Sequence, residues 1–279
     1  MTRDQLINLI KEKKSYLCVG LDPDFEKIPQ FIKDQFEDPI FEFNKAIIDA
    51  TWQYAVAYKP NLAFYECHLS KGWQSLEKTI NYINEQGGGR VFTIADAKRG
   101  DIGNTARMYA QTFFQNLQFD AVTVNPYMGR DSVEPFTGTD GKWAVVLGLT
   151  SNPGAYDFQI ADTAGNVATT HPFEQTIKRC TRWGTPENLM FVVGATRGEL
   201  IKKAREAAPN HFFLVPGVGT QGGSIKEVSE IAMTQDCGLL VAVSRQIIFA
   251  SHGPDFQQRA REMAANYQKQ MEILLRAKG

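Results

Sequence analysis

The hydrophobic positions of the chain follow two alternating patterns. Short apolar runs rich in Val, Ile, Leu and Phe predict strands, and longer segments with 3.6-residue spacing predict helices. Most of the strand runs are continuously apolar, which is typical of parallel strands that helices cover. The pattern predicts eight strands, at 16–21, 55–59, 90–96, 121–125, 143–149, 189–194, 212–216 and 238–243.

Helical segments follow these strands, at about 39–53, 71–86, 103–117, 131–137, 173–183, 198–208, 224–234 and 255–276. Eight β-then-α units predict an α/β fold, a (β/α)8 TIM barrel that forms a single domain over residues 1–279. A short amphipathic helix at about 2–14 precedes the barrel. A loop at about 152–172 follows the fifth strand, and its unusual length indicates a functional role. A doubly wound sheet is the structural alternative.

Composition narrows the class of protein. The chain is 43% hydrophobic and 22% charged, as in ordinary globular proteins, and its net charge is −1. It therefore lacks the basic excess expected of a protein that binds nucleic acid or membrane surfaces. The longest apolar runs, about six residues, fall far below the roughly 20 that span a bilayer, and we expect no signal peptide in the N-terminal segment. We expect a cytoplasmic protein with no nucleic-acid or membrane partner.

Cysteine and histidine spacing argues against a zinc site. No CxxC, HxH or HxxxH pair occurs, so a zinc site built only from protein ligands is not expected. The widely spaced cysteines are typical of reduced thiols, most of them buried, in a cytosolic protein. They are Cys18, Cys67, Cys180 and Cys237.

Charged residues gather where predicted strands end. The first strand runs into Asp22, the second into Lys59, and the third into Asp96 and Lys98. Catalytic groups of barrels come from the carboxyl ends of the strands, and alternation places Asp96 and Lys98 on one face, toward the barrel mouth. A single Asp-x-Lys motif could equally be an exposed ion pair at the end of a strand. Charges at equivalent positions of neighbouring strands favour an active site.

A glycine-rich segment follows the seventh strand. Gly217, Gly219 and Gly222 have the GxGxxG spacing of dinucleotide-binding folds, but that motif belongs on the first strand of a Rossmann unit. In barrels, the loops after strands 7 and 8 commonly bind phosphate. Arg245, just after strand 8, would add a planar guanidinium fork for phosphate oxygens. The pattern predicts a phosphate monoester substrate, with ordinary turn glycines as the alternative.

These motifs together resemble one known family. The segment "DAKRGDIGNT" (96–105) resembles the D-x-K-x-x-D-I-x-x-T signature of orotidine 5'-monophosphate decarboxylases. Further matching segments occur in the family's order and cover nearly the whole chain, whose length is similar to the longer bacterial subgroup. They are "GLDPD" (20–24), "YKPN" (58–61), "TSNPGA" (150–155), "VPGVGTQGG" (215–223) and "SRQI" (244–247).

The resemblance implies an activity and catalytic roles. It implies decarboxylation of orotidine 5'-monophosphate to uridine 5'-monophosphate (UMP) and CO2, the last step of de novo UMP biosynthesis, with no metal or other cofactor. Lys98 matches the lysine that protonates C6 of the pyrimidine, and Asp96 matches the carboxylate beside the substrate carboxylate. Lys59 matches the lysine that completes the charge array and touches the ribose.

The resemblance also implies a homodimer with shared active sites, because Asp101, Ile102 and Thr105 match residues that reach into the partner's site. Arg99 matches no catalytic role, and we expect a surface or interface ion pair there.

Substrate-binding residues are carried over in the same way. Asp22 matches a ligand of the ribose hydroxyls, Ser151 a contact of the pyrimidine edge, and Arg245 the phosphate clamp. Gln221 matches a bridge between phosphate and base. Pro216 and Ser244 also belong to the expected binding set, although many relatives have glycine where this chain has Ser244.

Two alternatives carry related motifs. Magnesium-dependent sugar-phosphate lyases share the barrel and the D-x-K-x-x-D motif but have an acid at the position of Lys59, because Mg²⁺ prefers oxygen ligands. A non-catalytic nucleotide-binding regulator should have lost part of the charge array, and every member is present here.

Overall fold

The computed structural model of the chain describes residues 1–87, 91–160, 170–195, 198–219 and 223–278. Its sheet is a closed barrel of parallel strands in the order β1 to β8, with β8 paired to β1. The predicted (β/α)8 barrel is therefore confirmed. The strands are β1 Leu17–Leu21, β2 Ala55–Pro60, β3 Phe92–Arg99, β4 Ala121–Val124, β5 Trp143–Leu149, β6 Leu189–Val193, β7 Phe212–Val215 and β8 Leu239–Val243.

Helices alternate with these strands and surround the barrel. The helices are α1 Arg3–Lys13, α2 Gln30–Gln35, α3 Pro39–Thr51, α4 Ala63–Glu66, α5 Leu69–Gly87, α6 Gly103–Gln111, α7 Glu134–Thr137, α8 Ala155–Phe158, α9 Pro172–Cys180, α10 Gly198–Ala207, α11 Ile225–Ala232, α12 Arg245–Ile248 and α13 Phe256–Lys278. The helix expected at 131–137 is a 3-10 turn, Arg130–Ser132, followed by the single turn of α7.

The barrel core consists of continuous apolar strands, as the sequence pattern predicts. Every residue of β1, β2, β4, β6 and β7 is buried, because side chains on one face fill the barrel and those on the other pack under helices. Trp143 is the largest fully buried side chain, and its ring meets Phe92 and Phe212 edge to face. Cys18, Cys180 and Cys237 are buried free thiols, and Cys67 is exposed.

Helix α1 covers the amino-terminal end of the barrel. Thr2 caps the helix, and the Arg3 guanidinium lies 5.2 Å from the Phe212 ring centre at the start of β7. Arg3 also donates to the Pro186 carbonyl oxygen over 3.0 Å. The opposite end of the barrel, where the strands have their carboxyl ends, holds the predicted site. Within the described ranges, no helix combines the length and apolar character needed to cross a membrane.

Candidate active site

The carboxyl ends of β2 and β3 bring three of the predicted charges into one network. The Asp96 carboxylate lies between two ammonium groups, with Lys59 Nζ 2.9 Å from Oδ2 and Lys98 Nζ 2.6 Å from Oδ1. The side chains of Lys59 and Asp96 are only 9% and 11% exposed, whereas that of Lys98 is 51% exposed. The network therefore has a buried part, Lys59 with Asp96, and an accessible part, Lys98.

The charges of the buried pair are mutually stabilised. Burial by itself lowers the pKa of Lys59, but the carboxylates of Asp96 and Asp22 outweigh burial and hold that pKa above its usual value. Burial likewise raises the pKa of Asp96, but Lys59 and Lys98 outweigh it and hold that pKa well below its usual range. Both groups therefore remain ionised at neutral pH.

The end of β3 departs from regular strand geometry. Ala95 pairs with Val122 and Arg99 with Val124, so β3 has two more residues than β4 between these pairs. Lys98, inside this bulge, has φ of +46°, a left-handed conformation that is unusual for a residue other than glycine. Strand alternation correctly predicts that Asp96 and Lys98 meet, but it does not reveal the bulge.

Thr123 of β4 supports the bulge, although it is not among the site residues expected from the sequence. Its hydroxyl accepts a hydrogen bond from the Lys98 backbone N–H at 2.8 Å and lies 3.1 Å from Asp96 Oδ1. A single hydroxyl in the otherwise apolar run Ala121–Val124 is the signal that could have indicated it.

Asp22 and Ser244 contribute buried oxygens at the ends of β1 and β8. Asp22 Oδ1 and Ser244 Oγ are buried and have no hydrogen-bond partner among the described residues. Gly20 permits this packing, since a Cβ at Gly20 would lie 2.6 Å from the Ser244 Cβ. The hydrogen-bonding capacity of these two oxygens is therefore not satisfied within the described residues.

The segment after β3 extends away from the charge network. Asp101 is half-buried, and its carboxylate accepts a hydrogen bond from the backbone N–H of the next residue, Ile102, at 2.8 Å. Ile102 is 46% exposed, and Thr105, in the first turn of α6, is exposed as well. The chain's own network does not include these three predicted residues.

The ends of β5, β6 and β7 lie together on the other side of the mouth. Ser151 packs against Gly194, where an added Cβ would lie 2.9 Å from the Ser151 Cβ. The carbonyl oxygen of Pro216 accepts the Ala195 N–H at 3.1 Å. The predicted binding residues Ser151 and Pro216 are thus held on adjoining strand ends.

The loops expected to bind phosphate also adjoin each other. Gly217 and Gly219 have φ of +89° and +83°, a backbone conformation that residues other than glycine rarely adopt. A Cβ at Gly219 would also collide with the Gln246 side-chain amide. Arg245 is exposed and begins the short helix α12 after β8. Gln221, the predicted bridge between phosphate and base, lies outside the described residues.

Arg99, which had no predicted catalytic role, forms an ion pair with Glu66 at the end of α4. Its guanidinium also donates to the Ala97 carbonyl oxygen at 3.0 Å and lies over the Tyr109 ring. The expected ion pair therefore exists, and it joins the outer side of the β3 bulge to α4 and α6.

Fold and site together define the class of protein. A closed (β/α)8 barrel that carries charged and phosphate-compatible groups at the carboxyl ends of its strands is a barrel enzyme with its candidate active site at that mouth. Over the described ranges, no three His, Cys, Asp or Glu side chains are grouped as metal ligands.

Comparison with known proteins identifies the family. Residues 15–261 match the family described as "Orotidine 5'-phosphate decarboxylase / HUMPS family". A Flavobacterium johnsoniae protein named orotidine 5'-phosphate decarboxylase is 54% identical over 278 residues, which cover 100% of both chains. The chain therefore belongs to the orotidine 5'-phosphate decarboxylase family, and it is an enzyme of the carboxy-lyase class.

Solved structures agree with this assignment. The structure of Leishmania donovani OMP decarboxylase has a TM-score of 0.79 and 32% identity, covering 98% of this chain and 99% of that one. The structure of Leishmania donovani UMP synthase has a TM-score of 0.83 and 34% identity, covering 99% of this chain. The present chain spans 57% of that longer protein.

Proposed function

We propose that this protein converts orotidine 5'-monophosphate to UMP and CO2, the final step in making UMP, without a cofactor. The observation that carries the proposal is the Asp96 carboxylate held between the ammonium groups of Lys59 and Lys98 at the barrel mouth. Relatives more than 50% identical over the whole chain carry the name of this decarboxylase.

The proposed reaction needs a cation and a proton at one carbon. When the bond between C6 and the carboxylate breaks, CO2 leaves and the electron pair remains on C6. The Lys98 ammonium stabilises this developing charge and then gives a proton to C6, which forms the new C–H bond. Lys98 regains its proton from solvent, to which its side chain is half exposed.

The charges of Asp96 and Lys59 stay constant around the Lys98 ammonium. A pair of unit charges 4 Å apart is worth about 4 kcal/mol at an effective dielectric near 20, so two contacts to Asp96 can offset the burial of its carboxylate. The low pKa of Asp96 and the high pKa of Lys59 mean that neither changes charge during turnover near neutral pH. The electrostatic field therefore exists before substrate arrives.

Other residues at the mouth bind the substrate in this proposal. The unpartnered Asp22 Oδ1 accepts a ribose hydroxyl, and Ser151 contacts the edge of the pyrimidine. Arg245 pairs with the phosphate, with Gln221 between phosphate and base. Ser244 and Pro216 line the same side, where the Ser244 hydroxyl has no partner among the described residues.

We further propose that two copies share their active sites. Asp101 does not join its own chain's network, and Ile102 and Thr105 are exposed beside it. Apolar side chains on the same side of the mouth are also exposed, with Met108 at 49%, Tyr127 at 87% and Met128 at 50%. A second copy covering this surface would bring Asp101 and Ile102 to the partner's Lys98.

The magnesium-dependent lyase is disfavoured by Lys59. In those enzymes an acid at this position provides oxygen to the metal, whereas here the Lys59 ammonium occupies one oxygen of Asp96 and would repel Mg²⁺.

One assay tests the activity and this alternative together. Wild-type protein with EDTA should consume orotidine 5'-monophosphate, followed by the loss of orotate ultraviolet absorbance, and Lys98→Ala should not. Absence of turnover in EDTA, with rescue by added Mg²⁺, would contradict the proposal. Absence of turnover under both conditions would refute the activity itself.

A further inference from the structure

The backbone at Lys98 needs support from neighbouring groups. A residue other than glycine holds a left-handed conformation inside a strand only where its surroundings impose it. At Lys98, where φ is +46°, the register between β3 and β4 slips by two residues, so the regular ladder does not hold this backbone. Side-chain contacts must therefore do so.

Thr123 provides that contact from inside the barrel wall. Its hydroxyl oxygen accepts the Lys98 N–H at 2.8 Å. Its proton has two acceptors within reach, Asp96 Oδ1 at 3.1 Å and the Ala95 carbonyl oxygen at 3.5 Å. The closer acceptor is also the ionised one, which makes the stronger bond.

Burial and side-chain shape make this contact difficult to replace. Thr123 is 1% exposed, so solvent cannot take over from its hydroxyl. A β-branched side chain has few accessible χ1 rotamers, and its hydroxyl therefore has a defined position. The same oxygen joins the backbone of the proposed proton donor to the carboxylate that pairs with that donor.

We propose that Thr123 is a positioning residue that sets Lys98 and Asp96 in their reactive arrangement. This inference rests on the proposed function, because it assigns Thr123 to the chemical step of that reaction. Thr123 acts only through Lys98 and Asp96, and the groups proposed to bind the ribose, base and phosphate come from other strands. Its loss should therefore slow the chemical step and leave binding of substrate and product nearly unchanged.

The test compares matched valine substitutions in wild-type background. Thr123→Val keeps the β-branched shape of the side chain but removes the hydroxyl. Thr93, on β3, is the control: it is fully buried, its hydroxyl lies 3.2 Å from Asp120 Oδ2, and it accepts the Asp120 N–H at 3.0 Å. Thr93→Val therefore removes a comparable pair of bonds at the opposite end of β3 from the bulge at Lys98.

We expect Thr123→Val to lower kcat by about 10- to 100-fold, since small displacements of reacting groups have effects of this size. KM and the Kd for UMP should stay near the wild-type values. Thr123→Ser should restore most of the lost kcat, and Thr93→Val should retain kcat even if it melts earlier than wild type.

Several results would overturn the inference. Equal kcat for Thr123→Val and Thr93→Val, or an equal loss in Thr123→Ser, would mean that the hydroxyl does not position Lys98. If Thr123→Val does not fold, Thr123→Ala is measured in its place, and the same fall in kcat is expected. An unchanged kcat in Thr123→Ala would contradict the inference. A wild-type protein without decarboxylase activity would instead refute the proposed function.

Discussion

Lys59 Nζ lies 2.9 Å from Asp96 Oδ2, and both side chains are about nine-tenths buried. Lys98 reaches the other oxygen of the same carboxylate but is half exposed. The two lysines therefore differ in what their loss should do. Removing Lys59 leaves the buried Asp96 carboxylate without its buried positive partner. Removing Lys98 takes away an exposed partner, and solvent can hydrate the carboxylate oxygen in its place.

Lys59→Met should accordingly lower the free energy of unfolding by about 3–5 kcal/mol, while Lys98→Met should change it by about 1 kcal/mol or less. Both should nearly abolish turnover. Urea unfolding followed by circular dichroism measures the first effect, and orotate absorbance measures the second. A double variant, Lys59→Met with Asp96→Leu, should regain much of the stability and none of the activity. Equal destabilisation by the two single lysine variants would contradict this division.

Mixing inactive variants tests the shared active site. Lys98→Ala and Asp101→Ala should each be nearly inactive as pure proteins. After subunit exchange, a hybrid dimer has one intact site, so an equal mixture should recover about one quarter of wild-type activity. The control mixes Lys98→Ala with the double variant Lys98→Ala/Asp101→Ala, which cannot form an intact site. No recovery after proven exchange would show that Asp101 serves its own chain.

Arg245 should contribute to turnover by binding the phosphate group of the substrate. Arg245→Met should lower kcat/KM for orotidine 5'-monophosphate by about 10- to 100-fold. A loss of this size corresponds to the free energy of a hydrogen bond to a charged group. With orotidine, which has no phosphate, the variant and wild type should be equal. Arg259→Met, at an exposed arginine of α13 that pairs with Asp255 and Glu262, is the control. An equal fall with both substrates would place Arg245 elsewhere in the mechanism.

His211 should make stability depend on pH. It is 6% exposed, neither ring nitrogen has a hydrogen-bond partner among the described residues, and burial, with the Arg3 and Arg205 charges, lowers its pKa to about 4. The unfolded chain binds this proton near pH 6.5, so folding favours the neutral ring. The contribution of His211 to the free energy of unfolding is therefore fully present above pH 6.5. It is lost as pH falls toward 4, by at most about 3 kcal/mol.

The corresponding measurement is the urea midpoint across pH 4 to 7. His211→Leu should flatten the curve in this window, and His252→Leu, at an exposed histidine, should not. A wild-type curve with the same slope as His211→Leu would show that the buried ring does not control the pH dependence.

The contacts of Arg99 and Thr123 cannot be derived from the sequence pattern alone. The charged segment after the third strand indicated an active site, and an ion pair for Arg99 was expected, but its partner Glu66 lies 33 residues away and could not be named. Thr123 occupies an apolar run and resembles an ordinary β-branched core residue. Its importance depends on a bulge in the neighbouring strand, which hydrophobic periodicity does not encode.

The sequence by itself determined the eight β-then-α units, and with them the end of the barrel at which Asp22, Lys59, Asp96 and Lys98 lie. Local periodicity is sufficient for this because parallel strands joined by helices all have their carboxyl ends on one side. Only the tertiary structure decided that Lys59 and Lys98 take opposite oxygens of Asp96 and that Thr123 holds the bulge. The Lys59 and Thr123 contacts join residues on neighbouring strands, so their geometry depends on barrel closure and strand register. The Lys98 contact lies within β3 and depends on the bulge at its end.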